Sequence, residues 1–106
     1  MQDLESLYQM VAARKANPKE GSYTDYLFTK GLDKILKKVG EETTEVIVAA
    51  KNEGTAELQY ETADLLYHLM VLLVEQGLTY DDIKEKLGKR EGLMSDFKDR
   101  PEIKDL

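Results

Sequence analysis

Two pairs of acidic residues have a spacing that suits the binding of a cation. Two residues separate Glu42 from Glu45, and two separate Glu61 from Asp64. On an α-helix, side chains three positions apart project from the same side, about 60° from one another, so both carboxylates of a pair can hold one ion. The fifteen residues between Glu45 and Glu61 include Gly54 and are enough to end one helix, turn and begin an antiparallel one. We therefore predict that the two pairs face each other across a helical hairpin.

The chemistry of this arrangement is that of a hard divalent cation. Four carboxylates in one groove would repel one another, and each buried unpaired charge would cost several kcal/mol unless a cation neutralised it. The chain has no cysteine and one histidine, so oxygen ligands suited to Mg²⁺ or Mn²⁺ predominate. A di-iron carboxylate bundle is disfavoured because it characteristically uses two Glu-x-x-His motifs. Either pair alone would be weak evidence, since acids on a helix usually form a solvated face.

The charge distribution points to the same segment. Residues 41–64 hold seven acids and one base, whereas the bases and acids elsewhere balance, so this segment carries the whole net charge of −6. This pattern argues against a protein that binds nucleic-acid phosphates. The absence of cysteine excludes disulfides and a cysteine nucleophile. The N-terminal residues lack the pattern of a signal peptide, so we expect a cytoplasmic protein.

Hydrophobic periodicity predicts that helices position these acids. A first helix should end near Asn17-Pro18, because proline disfavours helical geometry in the residue before it. Residues 21–24 are predicted to form a loop in which Ser22 or Thr24 caps a second helix, running from about residue 26 to 52.

The second helix contains a glycine, Gly31, at which it could be broken. Its apolar residues fall in one broad arc, which predicts the face that packs against the core. The residues of this predicted face are Leu32, Ile35, Leu36, Val39, Thr43, Val46, Ile47 and Ala50.

The third helix is predicted over about residues 55–76. Residues 65–74 are almost entirely apolar and are interrupted only by His68. Ten residues are too few to cross a bilayer, which needs about 20, so this helix should be buried on several sides, in part by a partner subunit. A fourth helix should begin with Thr79 as its cap and continue toward Arg90. The prediction is a single all-α domain, residues 1–106, formed as a four-helix bundle completed by oligomerisation, with a partly ordered charged tail at 92–106.

Several motifs resemble a known family. They are Ser22-Tyr23-Thr24, Gly31, the segment KVGEETTE at 38–45 and the segment ETADLLYHL at 61–69. Together they closely resemble the phosphoribosyl-ATP pyrophosphatase family, a branch of the MazG-like all-α pyrophosphohydrolases. The resemblance covers about residues 22–90. It implies magnesium-dependent hydrolysis of phosphoribosyl-ATP to phosphoribosyl-AMP and pyrophosphate, the second step of histidine biosynthesis, by a homodimer or higher homo-oligomer.

The spacing of the acids and the chemistry of this reaction together suggest a role for each acid. Glu42, Glu45, Glu61 and Asp64 would hold Mg²⁺, which bridges phosphate oxygens and activates a water molecule for attack at phosphorus. Glu41 is a candidate general base or outer ligand, with a solvent-exposed surface role as an equal alternative.

Six further residues are candidates for substrate binding, and each has a structural alternative. Lys38 would bind phosphate or form an ordinary ion pair with Glu42, and His68 would orient a carboxylate, approach substrate or serve as a satisfied core group. The other candidates are Lys34, Arg90, Tyr23 and Thr24. Two alternative functions share these features: a housecleaning pyrophosphohydrolase for non-canonical nucleoside triphosphates, and a helical dimerisation module without catalysis.

Overall fold

The computed structural model describes residues 3–92, and this part of the chain forms five α-helices and no strand. The helices are α1 (Leu4–Ala16), α2 (Tyr23–Lys30), α3 (Leu32–Lys51), α4 (Ala56–Glu75) and α5 (Tyr80–Gly92). The all-α prediction is confirmed, and the predicted end of the first helix before Asn17 is correct. The predicted tail beyond residue 92 lies outside the described residues.

The predicted second helix is two helices, which makes the count five instead of four. The break is at Gly31, whose φ of 91° lies in a region that residues with a side chain rarely adopt. Its N–H donates to the carbonyl of Leu27 (3.0 Å) and closes α2, while its own carbonyl accepts from the N–H of Ile35 (3.2 Å) in the first turn of α3. Gly31 therefore sets the direction of α2 relative to α3.

The start of α2 differs from the predicted loop. Ser22 caps this helix, because its side-chain oxygen accepts a hydrogen bond from the N–H of Asp25 (3.3 Å). Tyr23 and Thr24 consequently lie in the first helical turn and not in a loop. This placement fixes both side chains on a short, well-defined helix.

The core lies where the first four helices meet. Its fully or almost fully buried apolar side chains are Val11, Leu27, Ile35, Met70 and Val71. Burying a side chain of this size contributes about 1.5–3 kcal/mol of transfer free energy. Helices α3 and α4 form the most extensive helix–helix contact, and α1 also packs against α4. The pair of helices that carries both acidic pairs is thus the centre of the fold.

The buried face of α3 is narrower than the predicted apolar arc. The buried residues of this helix are Ile35, Glu42 and Ala49, each seven positions from the next. Leu36 and Ile47 belong to the predicted face, yet they are 46% and 61% exposed. The prediction was wrong for these positions because α4 covers one stripe of α3 and leaves the rest of the arc uncovered. A charged residue therefore lies in the middle of the buried stripe.

The ends of α4 and the start of α5 agree with the sequence. Helix α4 begins directly after Thr55, which makes no side-chain capping bond, and ends directly before Gln76. The hydroxyl of Thr79 accepts from the N–H of Asp82 (3.1 Å), and the Asp82 carboxylate accepts from the N–H of Thr79 (3.0 Å). This reciprocal pair of bonds satisfies two backbone donors at the start of α5. Across residues 3–92, every helix is too short or too polar to traverse a lipid bilayer.

Candidate metal centre and active site

Three carboxylates converge at the interface between α3 and α4. Glu42 and Glu45 on α3 and Glu61 on α4 each bring one oxygen to within 4.8 Å of the others. Glu42 is 4% exposed, Glu61 is partly buried and Glu45 is exposed. We call these three residues the carboxylate cluster. Its burial is graded, so that one side is enclosed by the helices and the other faces solvent.

The donor set of the cluster fits a hard divalent cation. Oε2 of Glu42 and Oε2 of Glu61 are buried, and neither has a hydrogen-bond partner in the described part of the chain. Leaving a buried charged oxygen without a donor is costly, because the desolvation of that group is not compensated. A cation between α3 and α4 would supply the missing interaction, and carboxylate oxygens are the ligands that Mg²⁺ prefers.

The three carboxyl groups of the cluster also shift one another's pKa values. Hydrogen bonding to Glu45, followed by burial and by repulsion from the other carboxylates, raises the pKa of Glu61 to about 7. Burial is the largest cause of the raised pKa of Glu42, whereas hydrogen bonding from Glu61 lowers the pKa of Glu45. In the absence of a cation, a proton held by Glu61 and shared with Glu45 therefore partly relieves the repulsion.

Asp64 lies beside the cluster but is not among the three oxygens that converge. It follows Glu61 by one turn of α4, and its negative charge contributes to the raised pKa of Glu42. The structure thus brings three of the four predicted ligands together and places the fourth next to Glu42. Its backbone carbonyl accepts a hydrogen bond from the ring of His68.

Lys38 is the base that accompanies the cluster. Its ammonium nitrogen lies 3.2 Å from Oε2 of Glu41 and 3.6 Å from Oε1 of Glu42. Burial opposes the charged form of Lys38, but its bond to Glu41 and its attraction to Tyr23 and Glu42 raise its pKa above the ordinary value. The side chain of Glu41 is 44% exposed and contacts the cluster through Lys38. This position is compatible with both roles predicted for Lys38, an ion pair with Glu42 and the binding of a phosphate, because an ion-paired ammonium beside the cluster can also contact a phosphate.

Two hydrogen bonds between side chains join α2 to α4 beside these charged residues. The hydroxyl of Tyr23 lies 3.0 Å from Nε2 of His68, and Nδ1 of His68 lies 2.8 Å from the carbonyl oxygen of Asp64. The hydroxyl groups of Thr24 and Tyr67 are hydrogen-bonded to each other. The sequence showed that His68 shares a stripe with Asp64, but the contacts with α2 span more than 40 residues and required the tertiary structure.

Neither of the other two candidate substrate-binding bases forms an ion pair with the cluster among residues 3–92. The ammonium of Lys34 lies 6.0 Å from the centre of the Tyr26 ring on α2, a cation–π contact. Arg90 is exposed in the last turn of α5, and among residues 3–92 no hydrogen bond or ion pair joins it to the carboxylate cluster. The described structure therefore places Lys38, and not Arg90, beside the acids.

Comparison with known proteins identifies the family. Residues 4–91 match the family model described as phosphoribosyl-ATP pyrophosphohydrolase. The chain is 99% identical to the phosphoribosyl-ATP pyrophosphatase of Limosilactobacillus fermentum and 74% identical to that of Lactiplantibacillus plantarum, over the full length of each protein. It is 60% identical to the phosphoribosyl-ATP pyrophosphatase of Listeria innocua, over 97% of this chain and 99% of the relative. The chain belongs to the phosphoribosyl-ATP pyrophosphohydrolase family.

Proposed function

We propose that this chain hydrolyses phosphoribosyl-ATP to phosphoribosyl-AMP and pyrophosphate, the second step of histidine biosynthesis, in the cytoplasm. The identity of the substrate is inferred from the names of the relatives and from the family match over most of the chain. The observation that carries the mechanism is the convergence of three carboxylates with two unpartnered buried oxygens. Such a site suits a reaction whose substrate arrives as a magnesium complex of a triphosphate.

The residues that would hold the cation are Glu42, Glu45 and Glu61, with Asp64 beside them. A divalent cation held by these residues would neutralise phosphate charge and acidify a water molecule, which is the chemistry that hydrolysis of a phosphoanhydride needs. Mg²⁺ is the proposed ion and Mn²⁺ the alternative, because the ligands are all carboxylate oxygens.

The other charged residues have complementary tasks in this proposal. Lys38 contributes an ammonium group close to the acids, which can attract a phosphate oxygen of the substrate. Glu41 holds that ammonium in place through its 3.2 Å ion pair. Glu61 would release its proton on binding the cation, because its pKa of about 7 belongs to the cation-free cluster.

The proposal includes self-association of the chain. Large apolar side chains on the α3–α4 hairpin are exposed in the single chain, among them Ile47 (61%), Val48 (56%) and Tyr60 (70%). Exposed apolar surface of this kind is typical of a protein interface. A second copy of the chain is the proposed partner, in a homodimer or a higher homo-oligomer.

A substrate panel tests the proposed reaction. Phosphoribosyl-ATP, ATP and several deoxynucleoside triphosphates are compared by kcat/KM for pyrophosphate release, each with Mg²⁺ and with a chelator. We expect phosphoribosyl-ATP to be preferred by about 100-fold or more and the activity to require the cation. A preference for the deoxynucleotides would instead assign the chain to housecleaning of nucleotides. Equal rates with and without a divalent cation would contradict the proposed metal site.

A further inference from the structure

Both ring nitrogens of His68 are engaged in hydrogen bonds. The residue is 2% exposed, its Nδ1 lies 2.8 Å from the carbonyl oxygen of Asp64, and its Nε2 lies 3.0 Å from the hydroxyl of Tyr23. A carbonyl oxygen can only accept a hydrogen bond, so Nδ1 must carry the proton that it donates. The backbone of α4 thereby selects one tautomer of the imidazole.

The tautomer of His68 determines the direction of the Tyr23 hydroxyl. In a neutral imidazole protonated at Nδ1, Nε2 has a lone pair and accepts. In that neutral form the hydroxyl of Tyr23 donates its one hydrogen to His68, and its oxygen keeps lone pairs with which it can accept. A phenol that has no such partner could rotate and donate to any acceptor nearby.

The direction of the Tyr23 hydroxyl proton affects which groups of the site Tyr23 can contact. Its hydroxyl contacts His68, which lies one helical turn after Asp64 on α4, and the charges of Lys38, Asp64 and Glu42 influence its pKa. It is nevertheless 45% exposed, and its ring stacks against that of Tyr26 at 6.0 Å between centroids. The residue is thus both accessible to a ligand and tied to α4.

We infer that His68 is a positioning residue that directs the hydroxyl proton of Tyr23 toward the imidazole, so that Tyr23 meets the substrate site as a hydrogen-bond acceptor. This inference rests on the proposed function. The group that Tyr23 contacts is a donor, either a sugar hydroxyl of the substrate or the ammonium of Lys38. A phosphate oxygen cannot be its partner, because two acceptors do not form a hydrogen bond.

Nuclear magnetic resonance tests the tautomer without substrate or metal. The chain has one histidine, so long-range proton–nitrogen correlations of uniformly ¹⁵N-labelled protein report on His68 alone. We expect a protonated Nδ1 and an unprotonated Nε2. In Tyr23→Phe the Nε2 resonance should move strongly and the Nδ1 resonance little. Protonation at Nε2, whether alone or together with Nδ1, would overturn the inference.

Kinetics test the link between His68 and Tyr23. Asparagine can replace the Nδ1 donor but offers nothing at the position of Nε2, whereas glutamine can present an acceptor there. We expect Tyr23→Phe and His68→Asn each to lower kcat/KM for phosphoribosyl-ATP by about tenfold. The double variant should be no worse than Tyr23→Phe alone, since His68 acts through Tyr23. His68→Gln should recover a large part of the loss.

Controls separate positioning from a purely structural role. Tyr26→Phe removes a hydroxyl from a residue of similar exposure on the same helix and should leave kcat/KM within about twofold of the unmodified chain. Multiplicative losses in the double variant, or unchanged kcat/KM in Tyr23→Phe, would overturn the inference. If His68→Asn does not fold, Tyr23→Phe and the resonances of the unmodified chain still decide it. Failure of the proposed function would appear separately, as absent hydrolysis by the unmodified chain.

Discussion

The ammonium of Lys38 lies 3.6 Å from Oε1 of Glu42, whereas Oε2 of the same carboxylate is buried and has no hydrogen-bond partner among residues 3–92. The two residues are one helical turn apart on α3, so this pairing is set by the local helix geometry. One oxygen of Glu42 is thus neutralised within its own helix, and the other is directed at the interface with α4. A cation would supply the partner that the second oxygen lacks, whereas Lys38 already pairs with the first.

Lys38→Met tests the role of the ammonium. Methionine keeps most of the aliphatic chain and removes the charge, so we expect KM for phosphoribosyl-ATP to rise by about tenfold or more while the fold is retained. Steady-state kinetics measure the change, and circular dichroism checks the fold. Lys37→Met is the matched control, because Lys37 is the exposed neighbour on the same helix. Equal effects in the two variants would show that Lys38 acts only through general surface charge.

Glu45→Gln tests the cation site at its exposed ligand. The variant keeps the shape of the side chain but weakens the cation site, so kcat/KM should fall by about 100-fold or more. In the presence of a chelator, the free energy of unfolding of the variant should be at least as large as that of the unmodified chain. The reason is that the substitution removes one of the negative charges that repel one another in the cluster. Glu53→Gln changes an exposed acid in the turn between α3 and α4 and should leave both properties nearly unchanged. Retained hydrolysis in Glu45→Gln would remove this residue from the site.

The stability of the cation-free protein should depend on pH with a defined sign. The pKa of Glu61 is raised from 4.5 to about 7, so between these values the folded chain holds a proton that the unfolded chain has released. The free energy of unfolding should therefore decrease as pH rises through this window. The raised pKa of Glu42 changes the free energy of unfolding in the same direction. The lowered pKa of Glu45 affects the free energy of unfolding only below about pH 4.5.

Urea denaturation across this pH range, with a chelator and with saturating Mg²⁺, measures the effect. Stabilisation by Mg²⁺ should grow as pH rises, because the cation competes with protons for the same oxygens. Glu61→Gln should abolish most of the pH dependence in the window. A free energy of unfolding that increased with pH in the chelator would contradict the assigned proton distribution.

Ile47→Asp tests self-association. A charge at this 61% exposed position would be tolerated by a monomer but not by an apolar contact with a second copy. Sedimentation equilibrium should give at least twice the chain mass for the unmodified protein and a lower association constant for the variant. Leu87→Asp, at a 55% exposed position on α5, is the control. Identical association of all three proteins would exclude Ile47 from the interface.

Local sequence signals predicted much of the fold because they act over a few residues. Pro18 follows the end of α1 closely, and the hydroxyl of Thr79 caps α5 as its position predicted. Gly31 marked the one uncertain point within the second helix, and its positive φ confirms the break. The face of α3 was predicted less well, since periodicity shows which residues are apolar but not which of them a neighbouring helix covers.

The sequence by itself determined the chemistry that is available. The types and spacing of Glu42, Glu45, Glu61 and Asp64, in a chain without cysteine, favour a hard cation, because helical periodicity puts acids three apart on one side. The tertiary structure decided which oxygens meet and which remain unpartnered. It also decided that His68 bonds to Tyr23 across 45 residues. Such contacts depend on the packing of separate helices, whose relative rotation and position no local pattern specifies.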